Sequence, residues 1–252
     1  MSRLGQLLKR ALQQEGSPIG FPVGRRASSW PLVLLASVAQ AKELEGALGL
    51  GAQAVVLVPE VAHTLREDLK GLQVPWGLVD PAPAKEDVEA LKALGLDFIV
   101  FQPKEAEASV IFIEGVGLMA WPDTEVTDIE LRLLAELPLE AVWSAPPPVP
   151  LTVAKQLSLR RLSTLCRLPL VIQLPPQADL LYLRCLMEAG VAGVVAPSLE
   201  ELARLRDVIP SLPVHRRRGE HLKPLLPISS RAPAPQQEPE EESSLDVNVM
   251  VF

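Results

Sequence analysis

The chain has 252 residues, 25 of them proline, a share about twice the usual ~5%. Hydrophobic residues make up 48% and the mean hydropathy is +0.22, enough apolar mass for a large core, so a wholly disordered chain is excluded. With 24 Lys and Arg against 31 Asp and Glu, the net charge of −7 excludes a general nucleic-acid binder, which needs a basic surface to neutralise phosphates.

The first predicted element is a helical stripe of Leu4, Leu7, Leu8, Ala11 and Leu12 opposite Arg3, Lys9 and Arg10. It reads as a helix packed across the bottom of the following domain or onto a second subunit. Because charge interrupts its apolar positions, it is not a secretory signal. Gly16–Trp30, rich in Gly, Pro and Ser, follows as a connector, so residues 1–30 form an N-terminal helix and connector.

Eight short apolar runs come next: Leu32–Ser37, Ala54–Pro59, Trp76–Asp80, Phe98–Gln102, Leu118–Pro122, Ala141–Ser144, Leu170–Leu174 and Val191–Pro197. They are nearly continuous in apolar character, as strands buried on both faces of a parallel sheet must be. Between them the period becomes helical, at Ala39–Leu48, Glu60–Leu72, Lys85–Leu94, Asp128–Leu137, Thr152–Leu165, Asp179–Ala189 and Leu199–Val208. The fourth connection, Lys104–Ser109 with Val110–Glu114 behind it, is the least helical. This alternation predicts an α/β fold, a single (βα)8 TIM-type barrel over residues 31–212. An open doubly wound sheet would carry a Gly-rich first turn, and Val38-Ala-Gln-Ala stands there instead.

Prolines punctuate the repeat. Pro59, Pro81, Pro103, Pro122, Pro146, Pro175 and Pro197 mark strand exits, where a residue without an N–H suits the first turn of a helix. Pro31, Pro75, Pro138 and Pro169 mark strand starts. Beyond the barrel, residues 213–252 comprise the basic triple Arg216–Arg218, a Ser/Pro/Gln/Glu-rich stretch Ser229–Ser244 that reads as disordered, and an alternating apolar tip, Leu245–Phe252. An apolar tip on a polar tether suits docking, in cis or onto a protein partner by strand addition. Cys166 and Cys185 read as buried reduced thiols, which fits a reducing compartment. No apolar run is long enough to span a membrane, so the expected location is the cytoplasm.

Pro169-Leu-Val-Ile-Gln173 and Glu188-Ala-Gly-Val-Ala-Gly-Val-Val-Ala196 resemble the last third of the ribulose-phosphate-binding (βα)8 barrels, a group rich in isomerases, epimerases and lyases. The resemblance covers Leu168–Leu205, is one of fold and specifies no reaction. Pro175-Pro176 stands where those barrels carry Gly-Gly, and Pro197-Ser198 where they carry Gly-Ser. Proline offers no N–H and blocks close backbone approach, so the resemblance does not extend to the phosphate cradle.

In such a barrel chemistry sits where the strands' C-terminal ends meet the βα loops. The groups expected there include Ser37, Glu60, Asp80, Gln102, Lys104, Asp123, Ser144, Gln173 and Ser198. Asp80 and Asp123 can serve as acid and base or hold Mg²⁺ with water and substrate; as plain structure they open the turns that follow their strands. Lys104 suits pairing with an anionic substrate. An imine-forming role is disfavoured, because no strand has an interior lysine. Gln102, Ser144, Gln173 and Ser198 are candidate ligand donors, and Ser198 equally suits a helix cap. His63 falls in a helix and His215 and His221 follow the last strand, which leaves no metal-ligand spacing. Two functions remain open: a lyase- or isomerase-type enzyme acting on a small anionic metabolite, or a catalytically degenerate barrel serving as a structural or interaction module, with homo-oligomerisation as one outcome.

Overall fold

The computed structural model describes residues 1–13, 30–123 and 125–213. The expected connector up to Trp30, the basic triple, the linker and the apolar tip lie outside the described residues. Eight parallel strands close into a barrel in chain order: β1 Val33–Val38, β2 Ala54–Leu57, β3 Trp76–Val79, β4 Phe98–Phe101, β5 Gly117–Ala120, β6 Leu139–Ser144, β7 Leu170–Gln173 and β8 Val191–Ala196. β8 returns to β1 with Leu34 opposite Val194 and Leu35 opposite Val195. The helices are α1 Arg3–Gln13, α2 Glu43–Gly49, α3 Pro59–Thr64, α4 Arg66–Leu69, α5 Lys85–Lys92, α6 Asp128–Leu134, α7 Val153–Cys166, α8 Leu180–Glu188 and α9 Leu199–Val208, with 3-10 turns at Ala108–Phe112 and Ile209–Ser211.

The continuous apolar runs are explained by two separate cores. Leu34, Val55, Leu78, Ile99, Leu118 and Ile172 face the helices and pack with Leu44, Val88, Leu131, Leu183 and Leu202. Their neighbours Val33, Leu35, Val56, Val100, Met119 and Val171 fill the barrel interior. A strand between two apolar layers leaves room for polar residues only near its ends, so alternation vanishes from the middle of each run. Gly77 makes room for one large interior ring, since a side chain there would run into Phe98.

Helix boundaries differ from expectation where side chains compete for backbone groups. Glu43 Oε2 accepts the N–H groups of Ala39 and Gln40 at 2.9 and 3.1 Å, folding them into a turn, and α2 starts only at Glu43. The expected helix Glu60–Leu72 breaks at Leu65, whose backbone (φ −91°, ψ 13°) leaves the helical region and separates α3 from α4. The weakly helical fourth connection forms the Ala108–Phe112 3-10 turn. Thr127, Thr152, Asp179 and Ser198 cap α6, α7, α8 and α9 with their side-chain oxygens.

The N-terminal stripe lies across the bottom of the barrel, with Leu4 and Leu8 fully buried in the same interior core as Val33 and Leu35. Helix α1 is held there through its own first amides. Ser2 N–H donates to Glu140 Oε1 at 2.8 Å, Arg3 N–H to Asp97 Oδ1 and Leu4 N–H to Asp97 Oδ2 at 2.9 Å each, and Gly5 N–H to Ser2 Oγ at 2.9 Å. Two carboxylates at the starts of β4 and β6 thus meet the donors a helix leaves unpaired and the positive end of its dipole. The approach is close enough to require glycine on both sides. A Cβ on Gly117 would sit 2.5 Å from Ser2 Oγ, and one on Gly5 would overlap Glu140.

Candidate active site

At the opposite end the strand exits β4 and β5 bring two predicted groups together. Lys104 Nζ lies 2.6 Å from Asp123 Oδ2, with the two side chains 72% and 43% exposed. The hydrogen bond and charge of Asp123 raise the Lys104 pKa above its ordinary 10.5, with smaller help from Glu130 and Glu125. Lys104 is therefore a fixed cation at neutral pH, suited to holding an anion and unsuited to attack as a neutral amine. The loop behind the pair is braced by Thr127 and Glu130, which cap α6 reciprocally; the Thr127 N–H and hydroxyl hold the Glu130 carboxyl below its usual range.

The strand register decides which other candidates share this mouth. Gln173 stands opposite Val195, an interior residue, and Gln102 follows Val100 at the next inward position. Both are half-buried. Val79 and Trp121 pack on the interior core, and Trp143 is part of it, making the throat between these amides apolar. Ser144 stands opposite Ile172, which belongs to the helix-facing core, and its hydroxyl donates to the Ala145 carbonyl at 3.2 Å. Register thus sets Ser144 on the helix side of the sheet, away from Gln102 and Gln173.

Asp80 and Ser198 carry local structure. Asp80 Oδ1 accepts the Ala82 N–H at 3.1 Å and so closes the turn at Pro81. Ser198 Oγ accepts the Glu201 N–H at 3.3 Å as the cap of α9. No group of three or more His, Cys, Asp or Glu able to hold a metal occurs among the described residues. A Mg²⁺ at this end would depend on Asp80, Asp123, water and substrate oxygens alone.

Sequence reasoning missed Glu201. Its Oε1 accepts the Gln177 N–H from the loop after β7 at 2.9 Å, while Oε2 accepts from Arg204 Nη2 at 2.7 Å and Nε at 3.0 Å. Burial opposes ionisation of this carboxyl, but the Arg204 and Gln177 hydrogen bonds outweigh it and hold the pKa below the usual value. This carboxylate thus ties the loop after β7 to the first turn of α9, which follows β8. The positive φ of Gln177 (64°), next to Pro175-Pro176, is what aims that N–H at Glu201. Asp97 and Glu140 were missed as well; their only sequence signal is an acidic residue at the start of an otherwise apolar strand.

No family model matches the chain, and no curated protein matches it. Solved structures do match in fold. The YdjI aldolase from Escherichia coli K12 superposes with a TM-score of 0.56 at 9% identity, covering 83% of this chain and 93% of that one. A ligand-free tryptophan synthase from M. tuberculosis gives 0.54 at 12% identity over 83% and 98% of the two chains, and the native KDPGal structure 0.52 at 16% over 75% and 95%. The fold these structures share with this chain is the closed eight-stranded TIM barrel. Identities this low establish the architecture, and the chemistry has to be argued from the residues at the mouth.

Proposed function

We propose that the protein is a small-molecule enzyme of lyase or isomerase type, acting on a small anionic metabolite at the C-terminal mouth of the barrel. The observation that carries this reading is the Lys104–Asp123 ion pair at the end of the barrel where Gln102 and Gln173 hold inward positions. A carboxylate or phosphate of the ligand takes Lys104 as its cation. Asp123, freed from that pair, becomes the base that removes a proton next to a carbonyl. The two glutamines donate to ligand oxygens, and Trp121 and Trp143 wall the throat. Asp80 holds the loop after β3 in this scheme, and Ser198 and Ser144 drop out of ligand contact. The aldolase-like architecture supports a reaction that makes or breaks bonds next to a carbonyl.

The glutamate clamp after β7 and β8 favours a second reading, a barrel without catalysis that serves as an interaction module. Tryptophan fluorescence separates the two. Pyruvate and inorganic phosphate are titrated against the intact protein and against Lys104→Ala, with Trp121 and Trp143 as reporters. A saturable change in the intact protein, weakened at least about 10-fold in the variant, fits loss of a charge-assisted contact of about 1.4 kcal/mol or more. No response to either anion, or an equal response in the variant, sinks the mouth as an anion site.

A further inference from the structure

We propose that the mouth of the barrel selects ligands with a single negative charge, a carboxylate held at the rim with an uncharged, hydroxylated body below it, and rejects dianions. The inference rests on the reading of the mouth as the ligand site and names the class of ligand it takes.

The inward positions at the strand exits follow from the interior core. Ser37 comes two residues after Leu35 and stands opposite Val56, Gln102 follows Val100 in the same way, and Gln173 stands opposite Val195. Val79 and Trp121 pack on the same core. These five side chains are half-buried, and Val58, two residues after Val56 in extended backbone, is 42% exposed. One layer down, Leu35, Val56, Val100 and Met119 are buried. Solvent thus reaches the inward side chains of the mouth and stops at an apolar floor.

None of these inward residues is charged. The side chains of Ser37, Gln102 and Gln173 have no hydrogen-bond partner among the described residues, so one hydroxyl and two amides are free to donate to and accept from ligand oxygens. A body with hydroxyls satisfies them, whereas an apolar one covers them and leaves them unpaired. A carboxylate placed there would exchange water for neutral dipoles, indole and valine, with no cation to offset the loss.

Charge begins farther out. Lys104 lies two residues beyond Gln102 and Asp123 two beyond Trp121, and the two pair with each other. Asp123, Glu130 and Glu125 all act on the Lys104 ammonium, three carboxylates to one cation. An arriving monocarboxylate replaces Asp123 on Lys104. A second negative charge on the same ligand meets acids at the rim and neutral groups beneath it.

Lactate, glycerate and tartronate share a 2-hydroxycarboxylate and differ in carrying a methyl, a hydroxymethyl or a second carboxylate, so they isolate the effect. Each is titrated above neutral pH against the intact protein and Lys104→Ala, alongside inorganic phosphate, with tryptophan fluorescence as the readout. Glycerate should bind at least about 10-fold more tightly than tartronate or phosphate, and more tightly than lactate. Gln173→Lys puts a cation at an inward position and should reverse the order in favour of tartronate, with circular dichroism unchanged; Gln102→Lys is the parallel variant. If tartronate, phosphate or lactate binds as tightly as glycerate, and Lys104→Ala weakens all of them, the proposal is overturned while the mouth stands as an anion site. If no probe gives a response, or the glycerate response survives Lys104→Ala unchanged, the anion site itself falls and this selectivity with it.

Discussion

The two ends of the barrel use charge in opposite ways. At the bottom, Asp97 is 8% exposed and both of its oxygens accept α1 backbone amides, while Glu140 takes Ser2, so these carboxylates are committed to holding a helix. At the top, Lys104 and Asp123 are exposed and held chiefly by each other. Both ends contain a cation next to a carboxylate, since Arg3 Nε also lies 3.3 Å from Asp97 Oδ1. A pair whose members are anchored to backbone is scaffold; a pair that a ligand can separate without unfolding anything is available for chemistry. The difference shows why proximity of charges alone is a poor marker of function, and why burial and backbone partners have to be weighed with it.

The largest effect should come from the bottom. Leu8→Ala removes a fully buried side chain that packs in the interior core against Gly193 and Leu35, and should cost about 3 kcal/mol, within the ~2–5 kcal/mol seen for such truncations. Urea denaturation measures it. A cost below about 1 kcal/mol would mean that α1 is not part of the barrel core in solution. Asp97→Ala comes next, at about 2 kcal/mol, because it orphans the buried Leu4 amide, the part-buried Arg3 amide and the Arg3 guanidinium together. Rescue by Asp97→Asn should be partial, since one amide oxygen can accept from only one side of the pair.

Smaller effects belong to the sides and the upper loops. Burial pushes the Cys166 thiol up from 9.0 to about 11, so the folded state holds this proton more tightly than the unfolded one. Its contribution is whole below pH 9 and is lost as pH rises towards 11, which a set of melts across that window should show, with Cys166→Ser flattening the slope. For Glu201 the sign is reversed. Its folded pKa is depressed, so its stabilisation is present above the ordinary 4.5 and disappears as pH falls through the lower folded value. Glu201→Gln should remove that acid-side dependence and loosen the loops after β7 and β8, visible as faster amide exchange at Gln177.

How much of this was legible in the sequence depends on range. Strands β1 to β8 were readable because Leu32–Ser37 and its seven counterparts are nearly continuous in apolar character, and prolines after seven of them set their ends. The stripe Leu4, Leu7, Leu8, Ala11 and Leu12 told of a buried helix, but left open whether a barrel floor or a second subunit covers it. What could not be read is anything fixed by register. Ser144 and Gln173 look alike as strand-end polar residues, yet a register shift at Leu170/Val171 and the pairing of Ser144 with Ile172 set them on opposite sides of the sheet. Glu201 was hidden for a similar reason. An acid in the first turn of a helix is ordinary, and only the left-handed Gln177 backbone, two loops away in sequence, turns it into a clamp.

The smallest stability effect should be that of Lys104→Ala and Asp123→Asn, and that near-absence is the sharpest test of the contrast between the two ends. The folded pKa of Lys104 is raised, so whatever the pair contributes is fully present below 10.5 and is lost only as pH rises beyond it. Both partners are exposed and water screens them, so at neutral pH the melting temperature of either variant should match the parent within error. If instead Lys104→Ala lowered the melting temperature as far as Asp97→Ala, the mouth pair would be scaffold like its counterpart at the bottom, and no group at the top would remain free for a ligand. If stability holds while pyruvate or phosphate binding falls, the pair has the property that the Asp97 cluster lacks: it can be parted by a ligand at no cost to the fold.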